Sequence, residues 1–169
     1  DLILRDQQGQ LSKEVLDVAF EIFSGENNKI ISALSEKGVK AIPIIGNIFK
    51  CSIDNKDLGY VGEIKETKSG DIKKIINSGG IPVVAPMGFT EEKQLVNING
   101  DKATLALAKE ITPDKVIFLS EIGGIFNEAD KLISNINIKD DYDRLMNEDW
   151  LHSGMKLKLQ QIKLLLDSL

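Results

Sequence analysis

Apolar positions recur along this chain with two different periods. Val15, Leu16, Ala19, Phe20 and Phe23 fit one side of a helix, and Ser12 stands where an N-cap would. Ser24-Gly25 reads as a break. Ile30, Ile31 and Leu34 then belong to a second helix that Gly38 suits as a C-terminal stop. Residues 39–45 are a β-branched run interrupted by Pro43, which predicts an edge or strand-end position. Residues 50–58 are polar and read as loop, and residues 60–64 as a short strand with a glycine at its centre. A short helix over 71–77 is closed by Gly79-Gly80, and 81–86 is a buried strand with proline at its ends. Residues 97–110 begin as loop and become a helix carrying Ala103, Leu105, Ala106 and Leu107. The pattern makes 115–119 the strongest central strand and 142–146 helical. Met155, Leu159, Ile162, Leu166 and Leu169 share the apolar face of a last helix.

Strands alternating with helices imply a largely parallel sheet covered on both faces, an α/β fold. There is no repeat, linker or low-complexity segment. The chain starts at Asp1 without a methionine and ends at Leu169 inside an apparent helix. Both ends therefore read as cuts, and 1–169 reads as one incomplete domain.

Composition narrows the function classes. The 169 residues suffice for a core, and 42% hydrophobic with 28% charged is an ordinary globular balance. The net charge of -5 is spread out, with no basic patch interleaved with aromatics, which argues against a nucleic-acid partner. No apolar run could span a bilayer. Cys51 is the single cysteine, so an internal disulfide is excluded, which fits a reducing compartment. His152 has no histidine or cysteine partner, so no zinc site is expected, and Cys51 has no base partner that would make it a nucleophile.

Three segments can carry chemistry. Val96-Asn97-Ile98-Asn99-Gly100-Asp101 opens a helix. Asn99 or Asp101 as a cap is the simpler reading, and an amide and carboxylate converging on a ligand at a strand end is the functional one. Phe118-Leu119-Ser120-Glu121-Ile122-Gly123-Gly124-Ile125 delivers a polar loop with paired glycines, through which backbone can approach phosphate or ribose. It lacks the lysine-serine/threonine ending of a Walker loop. Ser153-Gly154-Met155-Lys156-Leu157-Lys158 places Lys158 in a helix's first turn. A cation is unfavourable there unless an anion faces it; otherwise it is a solvated lysine lying over Leu157 and Leu159.

Taken in order, five segments resemble the acetylglutamate kinase branch of the amino-acid kinase superfamily, over nearly the whole chain. They are Leu58-Gly59-Tyr60-Val61-Gly62-Glu63-Ile64, Gly80-Ile81-Pro82-Val83-Val84, Asn97-Ile98-Asn99-Gly100-Asp101, Leu119-Ser120-Glu121-Ile122-Gly123-Gly124-Ile125 and Gly154-Met155-Lys156-Leu157-Lys158. Residues 150–165 are similar to the fungal mitochondrial kinases and to bifunctional acetylglutamate synthase-kinases, in which an acetyltransferase-like domain follows. The resemblance implies a three-layer α/β/α sandwich of the carbamate kinase-like type with its N-terminal part missing. It implies ATP-dependent phosphorylation of the side-chain carboxylate of N-acetyl-L-glutamate in arginine biosynthesis, with ATP and Mg2+ as cofactors. It further implies a homo-oligomer, arginine as a candidate inhibitor, and a cytoplasmic or mitochondrial-matrix location.

Roles follow from the same resemblance. Lys158 matches the lysine that neutralises the transferred phosphoryl group, and Asp101 the aspartate that orients catalytic lysines. Asn97 matches an acetylglutamate-binding asparagine, and Arg5 the arginine that pairs with the substrate α-carboxylate, although the spacing over Asp6 to Gln10 departs from the family's. Ser120, Glu121, Ile122, Gly123, Gly124 and Ile125 match the loop beneath the nucleotide. Trp150, Leu151 and His152 match a second nucleotide-contacting stretch. Gly100 stands where alanine is usual, and the family's upstream lysine and glycine-rich phosphate loops would precede Asp1. The competing reading is a non-catalytic, arginine-sensing kinase-like domain of an acetylglutamate synthase; a kinase for aspartate or glutamate is the third.

Overall fold

The structure, a computed structural model, describes residues 10–119 and 123–167. The chain divides into two compact units, Asp1–Ile111 and Thr112–Leu169.

The first unit opens with α1 (Lys13–Glu36), capped by Ser12, whose hydroxyl accepts from the Val15 amide at 3.3 Å. The helix runs unbroken through Ser24-Gly25, so the expected break does not occur. A glycine inside a helix costs only about 1 kcal/mol against alanine. Burial along the stripe Leu16, Ala19, Phe23 and Asn27 outweighs that cost. Asn27 is buried, and its Nδ2 donates to the Val83 carbonyl at 3.0 Å. Phe20 lies off the stripe and is exposed. At the far end the Gly38 amide donates to Ser35 O (2.9 Å) and the Val39 amide to Leu34 O (3.0 Å), the paired bonds of a glycine-closed helix.

Six strands follow in two sheets. β1 (Ala41–Ile44) pairs in parallel with β4 (Ile81–Val84), Ala41 opposite Ile81. The other sheet has the order β3-β2-β5-β6, made of β2 (Phe49–Ser52), β3 (Glu63–Thr67), β5 (Met87–Phe89) and β6 (Leu95–Asn97). β2 and β5 are parallel, while β2–β3 and β5–β6 are antiparallel. β2 overlaps the start of the stretch expected to be loop: Phe49 and Cys51 are buried and alternate with half-buried Lys50 and Ser52. Four residues amid Lys, Asp and Asn are too few for that alternation to stand out. The strand expected at 60–64 begins only at Glu63, because the chain just before it is engaged in the isolated bridges Leu11–Gly59 and Val61–Asn97. Ile81 is exposed, so β4 is less buried than its composition suggests.

α2 (Gly70–Asn77) packs against β4, α3 (Gly100–Ile111) against β3, and α1 against β1, β4 and β6. Two apolar clusters form the core. One gathers Ile48, Phe49, Cys51, Ile72, Val96 and Ile98, and the other Leu11, Leu16, Ala85 and Met87. Helices covering sheets that contain parallel pairings make this an α/β fold.

In the second unit, α4 (Ile138–Met146) and α5 (Ser153–Leu166) pack around Leu145, Leu151 and Leu159. Residues 115–119 are not a strand, and Ile117 and Leu119 are 73% and 92% exposed. Among the described residues of this unit the only β-pairing is the isolated Phe126–Leu132 bridge, so the run has no strand to pair with here. An apolar run carries strand propensity, but a strand also needs a neighbour. On α5, Leu159 and Leu165 are buried while Leu166 is exposed, so the inward stripe sits one position from the expected one at its C-terminal end.

Candidate functional site

A polar turn joins β6 to α3 in the first unit. β6 is held on both sides: Met87 lies opposite Asn97 across β5, and the Val61 bridge flanks it on the other edge. The Asn97 amide donates to Tyr60 O at 3.0 Å, and its carbonyl accepts from the Gly62 amide at 2.8 Å. Both backbone groups of Asn97 are thereby occupied. Its side chain is half-buried, and its amide has no hydrogen-bond partner among the described residues. Ile98, buried at the core, anchors the next residue through its amide to Pro86 O at 2.8 Å.

Asn99 is the cap. Its Oδ1 accepts from the Lys102 amide at 3.1 Å, and its carbonyl accepts from the Ala103 amide at 2.9 Å. The capping role therefore falls to Asn99 rather than Asp101. Asp101 sits half-buried in the first turn of α3, where the helix's partial positive charge favours a carboxylate. Lys102 Nζ reaches Glu63 Oε1 at 2.6 Å and ties that turn to the start of β3. Glu63 and Lys102 were not singled out from sequence. Glu63 ends the Gly-Tyr-Val-Gly-Glu run, but nothing in one sequence pairs it with a lysine 39 residues later.

In the second unit Gly123, with φ +77, leads into Gly124 and Ile125. A Cβ on Gly124 would come within 2.5 Å of Leu132 Cδ1. Ile125 O accepts from the Ile133 amide at 2.8 Å, closing a loop whose tip is turned by Asn127 Oδ1 accepting from the Ala129 and Lys131 amides, both at 3.0 Å. Ile125, Trp150 and Leu151 meet in one apolar cluster with Met155 and Leu159. Trp150 Nε1 donates to Glu148 Oε2 at 2.9 Å. His152 is the exposed N-cap residue of α5; its carbonyl accepts from Met155 and Lys156 amides at 2.9 and 3.0 Å. The two segments expected to meet the nucleotide thus share one core with the start of α5.

Lys158 is the sixth residue of α5, in its second turn rather than its first. The helix dipole fades beyond the first turn, so it gives less of a reason for this lysine than the sequence suggested. Lys158 is half-buried beside buried Leu159. Asp101 belongs to the first unit and Lys158 to the second. Arg5, Ser120, Glu121 and Ile122 lie outside the described residues.

Among the described residues no group of three or more His, Cys, Asp or Glu could hold a metal ion. Among the same residues no helix is long and apolar enough to cross a membrane.

The model of the amino acid kinase family matches residues 5–168, and the chain belongs to that family. Within it, the chain is similar to acetylglutamate kinases. It is 38% identical over 159 residues to the acetylglutamate kinase of Xanthomonas campestris pv. campestris, spanning 94% of this chain and 37% of that protein. It is 39% identical over 158 residues to the mitochondrial protein arg11 of Schizosaccharomyces pombe, spanning 92% and 18%. The chain thus spans well under half the length of these relatives. Among solved structures it superposes on the Streptococcus mutans protein smu.665 with a TM-score of 0.83, at 20% identity, covering 93% of this chain and 65% of that one, a likeness of fold.

Proposed function

We propose that this chain is the C-terminal part of an acetylglutamate kinase, which moves the γ-phosphoryl group of ATP onto the side-chain carboxylate of N-acetyl-L-glutamate. The observation that carries the reading is Asn97. Its side-chain amide has no partner among the described residues, at the C-terminal end of β6 where both of its own backbone groups are engaged, four residues before Asp101. Ligands of open α/β sheets bind at such ends.

The acceptor carboxylate is already ionised at neutral pH, so no base has to remove a proton. A carboxylate oxygen forms the new bond to phosphorus as the bond from phosphorus to the ADP oxygen breaks. Asn97 donates to the substrate and fixes its position. Lys158 supplies positive charge to the transferred group, and Asp101 orients lysine ammonium groups, in a reaction governed by alignment and charge. Magnesium would supply further charge on the phosphate oxygens. Gly123 and Gly124 with Ile125 support the nucleotide together with Trp150, Leu151 and His152, as would Ser120, Glu121 and Ile122; Arg5 would pair with the substrate α-carboxylate. The longer protein would work as a homo-oligomer in the cytoplasm or mitochondrial matrix, with arginine as a candidate inhibitor and, in a bifunctional form, an acetyltransferase-like domain attached.

The test is Lys158→Ala in the longer kinase chain. Turnover should fall about a hundredfold or more with the fold intact by circular dichroism. Near-normal turnover overturns the assignment. Acetylglutamate, aspartate and glutamate offered side by side fix the acceptor, and the 169-residue chain alone should show no phosphoryl transfer.

A further inference from the structure

A cleft of about 440 Å³ opens in the first unit at the end of the β5–β6 hairpin opposite Asn97. Asn97 pairs with Met87 at one end of this hairpin, while Phe89 pairs with Leu95 at the other, and it is Phe89 and the turn after it that line the cleft. The cleft therefore lies at the other end of the hairpin from Asn97. Its size is that of a small-molecule pocket.

The lining is built, and it is positively charged. The turn is fixed by the Thr90 amide donating to Gln94 O at 2.9 Å and the Lys93 amide to Thr90 O at 3.0 Å, with Lys93 held at φ +63. Phe89 packs its ring against the chain at Gly46, where a Cβ would come 2.6 Å from ring atom Cε2. Only glycine leaves room for that ring, so the apolar wall is fixed in place. Lys50, Lys68 and Lys93 line the cleft against one acid, Glu91. Glu91 is engaged with Lys50 at 2.9 Å. The ammonium groups of Lys68 and Lys93 have no ion-pair partner among the described residues. Glu66, opposite Lys50 on β3, offsets that lysine further, so Lys68 and Lys93 are the charges left to draw an anion into the concavity. Lysine ammonium groups act as point charges that suit the several oxygens of a phosphate, and three of them line this cleft.

We propose that this cleft is a second ligand site, for a small phosphate-bearing anion held by Lys68 and Lys93 against Phe89. The probe is inorganic pyrophosphate, titrated calorimetrically into this chain, with citrate in a parallel titration. Pyrophosphate should bind saturably, more tightly than citrate, and more weakly as salt rises. The Lys68→Ala/Lys93→Ala pair should weaken it about tenfold, two exposed charge contacts together. Glu91→Gln, which releases Lys50, should tighten it about threefold. Lys74→Ala, on exposed α2, should change nothing. No saturable binding up to roughly 10 mM overturns the proposal. So does binding that the double variant leaves unchanged, which would place the anion elsewhere, or binding in which citrate is preferred. The kinase assay is a separate readout, so this proposal can fail while the kinase reading stands.

Discussion

Replacing Gly62 by alanine tests the packing that holds Asn97. Gly62 is buried between β6 and β2, and its amide donates to the Asn97 carbonyl. A Cβ here would overlap the Val96 Cγ2 methyl, lie 3.1 Å from Val96 Cβ and approach Cys51 Cβ to 3.2 Å. Val96 is 0% exposed and cannot swing outward. Overpacking of this kind costs about 1–3 kcal/mol. At this chain length each kcal/mol corresponds to about 2–4 °C, so the melting temperature should fall by about 2–12 °C. Val96→Ala alone should also destabilise, through a cavity. Combined, the two changes move a methyl group across the contact instead of adding one. The double variant should be more stable than the sum of the singles predicts by at least about 1 kcal/mol. Urea unfolding of all four proteins measures this. Additive effects within error would show that Gly62 does not meet Val96 as described.

Gly25, exposed in the middle of α1 with open space where a Cβ would go, should tolerate Gly25→Ala with a gain of about 0.5–1 kcal/mol, read as a higher melting temperature; a loss would mean that the helix is broken there after all. Burial pushes the Cys51 thiol from 9.0 up to about 11, with Glu63 adding to the effect. The unfolded thiol ionises first, so the stability Cys51 contributes is complete below pH 9 and is lost as pH rises through 11; the urea midpoint should fall more steeply over that window than in Cys51→Ala, and parallel curves would refute this. In the longer kinase chain, Asn97→Ala should mainly raise the KM for acetylglutamate, while Asp101→Asn should mainly lower kcat. The reverse pattern would exchange their roles.

The sequence was most legible where one local rule decides the outcome. Ser12 caps α1, Gly38 closes it, and Asn99 caps α3, because a short polar side chain or a glycine at a helix end acts within four residues. Helices α3 and α5 are found from sequence because each buries a stripe, although the stripe of α5 ends on Leu165 rather than Leu166. Legibility failed where distant partners decide. Gly25 stays helical because the stripe from Leu16 to Asn27 is buried, a fact about the sheet under it. β5 and β6 are each three residues long and exist by pairing with each other. Residues 115–119 have strand composition but no strand partner among the described residues of their unit. The candidate site divides the same way. Asn97 and Asp101 lie four apart and were found as a motif, whereas the bond between Lys102 and Glu63 joins elements whose meeting no local pattern records.

A helix held only by apolar side chains has nearly equivalent seats one turn apart, because an apolar surface accepts a neighbour shifted by about 5.4 Å almost as readily. α1, at 24 residues, spans about 36 Å and would be free to slide in this way. Asn27 prevents it. In any seat but one, its buried amide loses the Val83 carbonyl and is left unsatisfied, a cost of about 1–3 kcal/mol. That favours the observed seat by about five- to 150-fold over its neighbours before any shape matching is counted. The helix therefore has an absolute axial position along the sheet, set at one polar residue two-thirds of the way down its length, and everything its N-terminal half touches is indexed to that point.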